Sequence, residues 1–405
     1  MKNSKIFVVL SFILVFSIIS ISYQPVVGKS DEYNGSNFDD LLFKLKIKFY
    51  LRFLKFPSMT FCVLKNDSIV FSGAFGHSHV YLRKKADLDT IYVIGSNSKS
   101  ITATAIMQLI ENKSYGLSLD DNISKYLPFD IKNPNFPNVN ITFRMLLAHQ
   151  SSLNDPTLDL RYIFPLEENI TKWIKERLVQ TGKHWGDYPP GEDIWYSNTG
   201  FILTSLLVEE ISGVPFEKYC KKNIFEPLKM YNTSFDLIDL DKKSMARPSF
   251  HIFGKLYLPL FHYDAKCVSA CGGVRTTAVD LSHFLLAHMN NGTYGGVRIL
   301  KNETIEEMHK VQYYNFTSNF YGGILQHGLG WMHLNLSGDM WEGYNGGAFG
   351  YSCNMMVLQK SNTGIIILAN GNFNRPRGVI SNKICLLKID MLYKMANELI
   401  KKAEQ

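Results

Sequence analysis

Strand-like sequence lies at both ends of this chain, and the stretch between them has helical periodicity. A fold that uses both ends in one sheet must therefore be discontinuous. From Met59 to Gly76, MTFCVLKNDSIVFSGAFG alternates apolar and polar residues around Asn66-Asp67, which is a hairpin signal, and Asp87 to Ile94 forms another strand-like run. A turn-rich helical region follows from about Ile141 to Leu240, with ITFRMLLAHQSSL and TGFILTSLLVEEISG as its clearest helices. Strand and hairpin signals return from about Phe250 to Asn370, and KIDMLYKMANELIKK closes the chain as an amphipathic helix. This order predicts an α/β fold: an antiparallel sheet flanked by helices, with an inserted all-α subdomain. The expected divisions are a leader or anchor at 1–28, a first α/β part at 29–125, a mainly helical insert at 126–250 and a second α/β part at 251–405.

The leader stands apart in composition. Lys2 and Lys5 precede an almost purely apolar run from Ile6 to Ile21, and Val26-Val27-Gly28 offers a small-residue cleavage site. The expectation is export, with an uncleaved anchor at residues 6–21 as the alternative. Eleven N-x-S/T sequons, from Asn34 to Asn335, would be modified at the surface in a host that N-glycosylates. The helical stretch Asp39 to Lys55 places Lys44, Lys48, Arg52 and Lys55 on one face; packing on a sheet and lying on a membrane surface are its two readings. A formal charge of +7 on 405 residues is mild and has no lysine-arginine block, so nucleic acid is not an expected partner. The six cysteines form no C-x-x-C pair and have no histidine cluster beside them, so no metal site is expected.

Chemistry enters at YVIGSNSKSITATAIMQLIENKS, Tyr92 to Ser114, where a strand turns into a helix. Ser96 or Asn97 could simply cap that helix. Lys99, however, lies one turn beyond Ser96 on the same face. A serine needs a neighbouring base to become a nucleophile, and lysines act as bases where burial or positive neighbours depress their pKa. Further on, YPPGEDIWYSNTGFILTSLL sets a Pro-Pro-Gly turn before Tyr196-Ser197-Asn198 and a long apolar helix. Asn198 or Thr199 could cap that helix. A second Y-x-N begins at Tyr313 but sits in a polar stretch, which favours the Tyr196 copy.

With these motifs the chain resembles the class C serine β-lactamases and the related DD-peptidases and esterases. The likeness runs in order from about Phe56 to Asn370. It takes in the opening hairpin, ITFRMLLAHQSSL, GGVRTTAVDLSHFL, HGLGW, and GGAFGYSCNMMVLQKSNTGIIILAN. The resemblance implies a beta-lactamase/transpeptidase-like fold with Ser96 as nucleophile, Lys99 and Tyr196 sharing proton transfer, and Asn198 orienting lysine or substrate. The third family motif, K-T-G or H-x-G, falls at Tyr344-Asn345-Gly346. The resemblance makes Tyr344, Gly346 and Gly347 substrate-binding positions, with the N–H groups of Ser96 and Gly347 as the oxyanion hole. Asn345-Gly346 also reads as a hairpin turn. A neutral phenol at residue 344 removes a cation that would hold a substrate carboxylate, which tilts the expectation towards esters or small amides. The leading expectation is thus an exported serine hydrolase that needs no cofactor and acts on a small molecule or peptide. The alternative is a catalytically weak relative that binds peptides or assembles with itself.

Overall fold

The structure is a computed structural model that describes residues 38–155, 169–180, 184–251, 257–260, 262, 269–313, 318–320, 323–336, 338–371 and 379–404. The leader at 1–28, the sequons at Asn34 and Asn315, the second Y-x-N beyond Tyr313, Cys267 and the Cys385 side chain lie outside the described residues.

Among the described residues, nine antiparallel strands form the main sheet: β1 (Ser58–Lys65), β2 (Ser68–His79), β3 (Lys84–Lys85), β4 (Ser318–Phe320), β5 (Gly323–His327), β6 (Met332–Leu336), β7 (Asp339–Ala348), β8 (Tyr351–Leu358) and β9 (Thr363–Asn370). Their spatial order is β4-β5-β6-β7-β8-β9-β1-β2-β3. The two ends of the chain meet at the β1–β9 seam, where Ser58 pairs with Asn370 and Lys65 with Thr363. The sheet therefore does combine strands from both ends. The β1–β2 hairpin turns at Asn66-Asp67 as its sequence signals, and Asn66 takes a left-handed φ of 55°.

The central strands are buried on both faces, as the unbroken apolar run TGIIILAN of β9 requires. Helices supply both covers. On one face, Cys62 meets the Ser282 hydroxyl of a helix at Ala278–Met289. On the other, Val63 and Lys65 share a crevice with Ile400 and Ala403 of the closing helix Val379–Ala403. The basic helix Phe38–Leu54 packs beside that closing helix. It buries Ile47, Leu51 and Leu54, and Lys46 Nζ lies 2.9 Å from Glu398. Packing is thus the reading realised for its inner face. No single helix among the described residues is long and apolar enough to cross a membrane.

One stretch departs from the sequence reading. Between Phe250 and Asn370, where the sequence reading named only strand and hairpin signals, helices also occupy Ala278–Met289 and Asn302–His309. The first has a capping signature that the strand reading overlooked: the Thr277 hydroxyl accepts the N–H of Asp280 at 3.1 Å.

For the site, two further helices matter. We label them α1 (Ser98–Glu111) and α2 (Asn198–Ser212); they pack against each other.

Candidate active site

The turn that carries Ser96 is built by the backbone. Tyr92-Val93 pairs with Arg275-Thr276, and Ile94 donates its N–H to the carbonyl of Val274 at 3.0 Å. Gly95 then takes φ +54°, and one 3-10 turn, Gly95–Asn97, leads into α1. The side chain of Asn97 does not cap α1; it donates to the Ile94 carbonyl at 3.1 Å. Nor is Ser96 a cap. Its hydroxyl accepts from Lys99 Nζ at 3.2 Å and from Tyr196 Oη at 2.6 Å. The capping alternative for this stretch is not realised.

Lys99 is fully buried. Its ammonium has three hydrogens, and each has an acceptor: Ser96 Oγ, Asn198 Oδ1 at 2.7 Å and the Cys271 carbonyl at 2.8 Å. A buried lysine so completely satisfied is held in one place, which a proton-transfer group needs.

Tyr196 and Asn198 reach the site from the entry to α2. The cap of α2 is Ser197, whose hydroxyl accepts the N–H of Gly200 at 3.1 Å, so Asn198 and Thr199 are not caps by the same device. This leaves the Asn198 amide free to meet Lys99. Asp155, which sequence reasoning did not single out, braces the segment. Its carboxylate accepts the N–H of Asn198 at 2.5 Å and the Thr199 hydroxyl at 2.7 Å. Tyr196 is 42% exposed, and Trp195, its neighbour in sequence, stacks on Tyr188 with ring centroids 6.1 Å apart.

Strand β7 forms the other wall. Asn345 and Gly346 pair with Asn354 and Cys353 within the ladder, so this pair is not a hairpin turn; the chain reverses at Phe349-Gly350 instead. The two glycines have separate reasons. A Cβ on Gly346 would lie 1.9 Å from the Ile94 carbonyl oxygen and 2.5 Å from Asn97 Nδ2. Gly347 stands against Gly95, whose own Cβ would lie 2.9 Å from the Gly347 nitrogen. Strand and serine turn thus touch backbone to backbone, which brings the Gly347 amide beside the nucleophile turn.

Tyr344 is placed differently from an open substrate contact. It is buried, and its hydroxyl lies 3.1 Å from His149 Nε2. Burial, and then the neighbouring Tyr196 phenol, push the Tyr344 pKa well above its ordinary value, so it is a neutral phenol.

The fold is of the beta-lactamase/transpeptidase type. The chain belongs to the beta-lactamase family, whose model matches residues 49–383. An octameric penicillin-binding protein homologue from Pyrococcus abyssi superposes with a TM-score of 0.66 at 26% identity, covering 88% of this chain and 78% of that one. D-amino acid amidase from Ochrobactrum anthropi SV3, complexed with D-phenylalanine, superposes with a TM-score of 0.71, covering 89% of this chain and 99% of that one; at 17% identity this is a likeness of fold. Protein flp of Staphylococcus aureus strain MRSA252 is 29% identical over 182 residues, 44% of this chain. That match takes in 35% of the length of protein flp, so the chain is similar to about a third of it.

Proposed function

We propose that the protein is a serine hydrolase that forms an acyl-enzyme at Ser96. The observation that carries this reading is the convergence of Lys99 Nζ and Tyr196 Oη on one serine oxygen, at 3.2 and 2.6 Å, in a turn packed against the Gly347 strand. In the resting arrangement both groups donate to Ser96 Oγ. When the lysine–tyrosine pair is short of one proton, it takes the serine hydrogen as Oγ bonds to the substrate carbonyl carbon. The carbonyl oxygen, now carrying the negative charge, faces the N–H groups of Ser96 and Gly347. The pair returns its proton to the leaving oxygen or nitrogen, and the ester or amide bond breaks. Water, deprotonated by the same pair, then attacks the acyl-enzyme, and Ser96 regains its hydrogen as the acid departs.

Esters and small neutral amides are the proposed substrates. The buried, uncharged Tyr344 gives no cation for a substrate carboxylate, and the exposed Tyr196 ring beside Ser96 offers apolar surface to an acyl or leaving group. The amidase with a similar fold keeps amides within the class. Export is proposed from the apolar run at Ile6 to Ile21 alone. The test of the function is covalent. A fluorophosphonate probe is expected to leave its adduct on the peptide containing Ser96, while an adduct on Ser98 or Ser151 would place the nucleophile elsewhere.

A further inference from the structure

The helix Phe38–Leu54 has two apolar faces, and the fold uses one of them. Ile47, Leu51 and Leu54 are buried on the inner face, and the Phe43 ring beside them lies 6.0 Å from that of Phe71 in β2, centroid to centroid. At 3.6 residues per turn, Leu42, Phe49 and Phe53 fall on one stripe on the far side of the helix, with Leu41 beside it. Leu41, Leu42, Phe49 and Phe53 are 53%, 43%, 46% and 37% exposed, and the Phe49 and Phe53 ring centroids lie 6.3 Å apart. The helix cannot roll to hide them. Its inner face is committed to the sheet, and Lys46 Nζ is held 2.9 Å from Glu398 of the closing helix. Large apolar side chains grouped in water mark a surface that meets something.

Charge narrows what it meets. Lys44, Lys48 and Arg52, each four residues on from the last, run as a row beside the stripe, and Lys55 follows just past the helix end. After Asp39 and Asp40 in the first turn, the helix contains no acidic residue. A second copy of this face would bring more apolar surface and more cations, with no anion to meet them. An anionic lipid surface offers hydrocarbon and negative charge together, at the depths where an apolar stripe and a flanking basic row sit. Position in the chain agrees. Only residues 22–37 separate the apolar run Ile6 to Ile21 from Phe38, so a chain that keeps this run carries the helix close to any bilayer the run enters.

We propose that the outer face of the helix Phe38–Leu54 is a membrane-surface site. Leu41, Leu42, Phe49 and Phe53 enter the boundary between headgroups and acyl chains of an anionic bilayer, and Lys44, Lys48 and Arg52 meet lipid phosphates. The helix lies in the plane of the membrane and does not cross it. The site shares no residue with the Ser96 turn, so it stands or falls apart from the hydrolase reading.

The test uses the full chain in vesicles of mixed phosphatidylglycerol and phosphatidylcholine, doped with a phosphatidylcholine that carries a diazirine on its acyl chain. After illumination, lipid adducts are mapped by peptide mass spectrometry. Adducts are expected on peptides within 38–55, resolved from any on 6–21. Phe49→Ser with Phe53→Ser removes the most apolar part of the stripe and is expected to cut the 38–55 adducts by about tenfold or more. Lys48→Gln with Arg52→Gln, and wild type in vesicles of phosphatidylcholine alone, should each cut them by about tenfold at low salt. Phe49 and Phe53 are exposed, so a Tm near wild type for their double variant separates lost binding from lost folding. Wild type without adducts on 38–55 overturns the proposal, and it is the result expected if the leader or a second copy covers the face. Undiminished adducts in Phe49→Ser with Phe53→Ser also overturn it, because labelling would then report only nearness to the bilayer. Sedimentation of the same variant in detergent reads the remaining alternative: a changed oligomeric state, without lipid adducts in wild type, assigns the face to self-association.

Discussion

Lys99→Met and Tyr196→Phe are each expected to lower kcat on a neutral ester by about 10²–10⁴, the range for loss of a general base, and the double variant is expected to be no worse than the poorer single. Ser96→Ala should remove covalent labelling altogether. The reason for the shared loss is geometric. Both groups meet on the same oxygen, and Lys99 Nζ also lies 4.8 Å from the centroid of the Tyr196 ring. Neither has a second route to the serine hydrogen. Methionine keeps the buried stem of Lys99 filled, although it leaves the Asn198 amide oxygen and the Cys271 carbonyl without their donor. Some loss of Tm is therefore expected for Lys99→Met and not for Tyr196→Phe, whose hydroxyl sits on the open side. Rates that fall independently, so that the double variant shows the product of the two losses, would mean that lysine and tyrosine serve different steps.

How far the sequence could reach is clear from these same residues. Ser96 and Lys99 were legible because three-residue spacing on a helix is local geometry, and the β1–β2 hairpin was legible because alternation around Asn66-Asp67 is local too. The Tyr196 segment could be placed before a helix, but its meeting with Ser96 spans 100 residues of chain. Order of motifs along the family carried that step, and periodicity could not. His149 and Asp155 escaped because their roles exist only in contacts. His149 sits 195 residues from Tyr344 and 48 from Ser197. Its left-handed backbone, φ +61°, leaves no trace in sequence, since the usual glycine marker is absent. Tyr344 was read as a site position from motif alignment. That reading assigned it to the substrate, whereas burial turns its hydroxyl inward to His149. The helix at Ala278–Met289 was missed for a different reason: its apolar residues are dense enough to pass for a buried strand, and only the Thr277–Asp280 cap separates the two.

Gly346→Ala is the substitution expected to do most damage for its size. Its added Cβ would meet the Ile94 carbonyl oxygen at 1.9 Å, the Ile94 carbonyl carbon at 3.0 Å and Asn97 Nδ2 at 2.5 Å. The first two are backbone atoms of the serine turn, so no rotamer relieves them. Either β7 or the turn must move. Both are pinned: β7 by its ladder to β8, and the turn by Ile94 N–H to Val274 and by Asn97 to Ile94. Overpacking of this kind costs about 1–3 kcal/mol. The larger effect should be on rate, because a displacement of about 1 Å between reacting groups can cost about 10²-fold. Gly347→Ala is the control for folding, since a Cβ there meets nothing within 4 Å. The expected result is a Tm close to wild type for Gly347→Ala, and for Gly346→Ala a lowered Tm with fluorophosphonate labelling slowed by about 10²-fold or more. Labelling of Gly346→Ala at the wild-type rate would show that the close approach of β7 to Ser96 does not set the geometry of attack, and the Gly347 amide would then have to be dropped from the oxyanion hole.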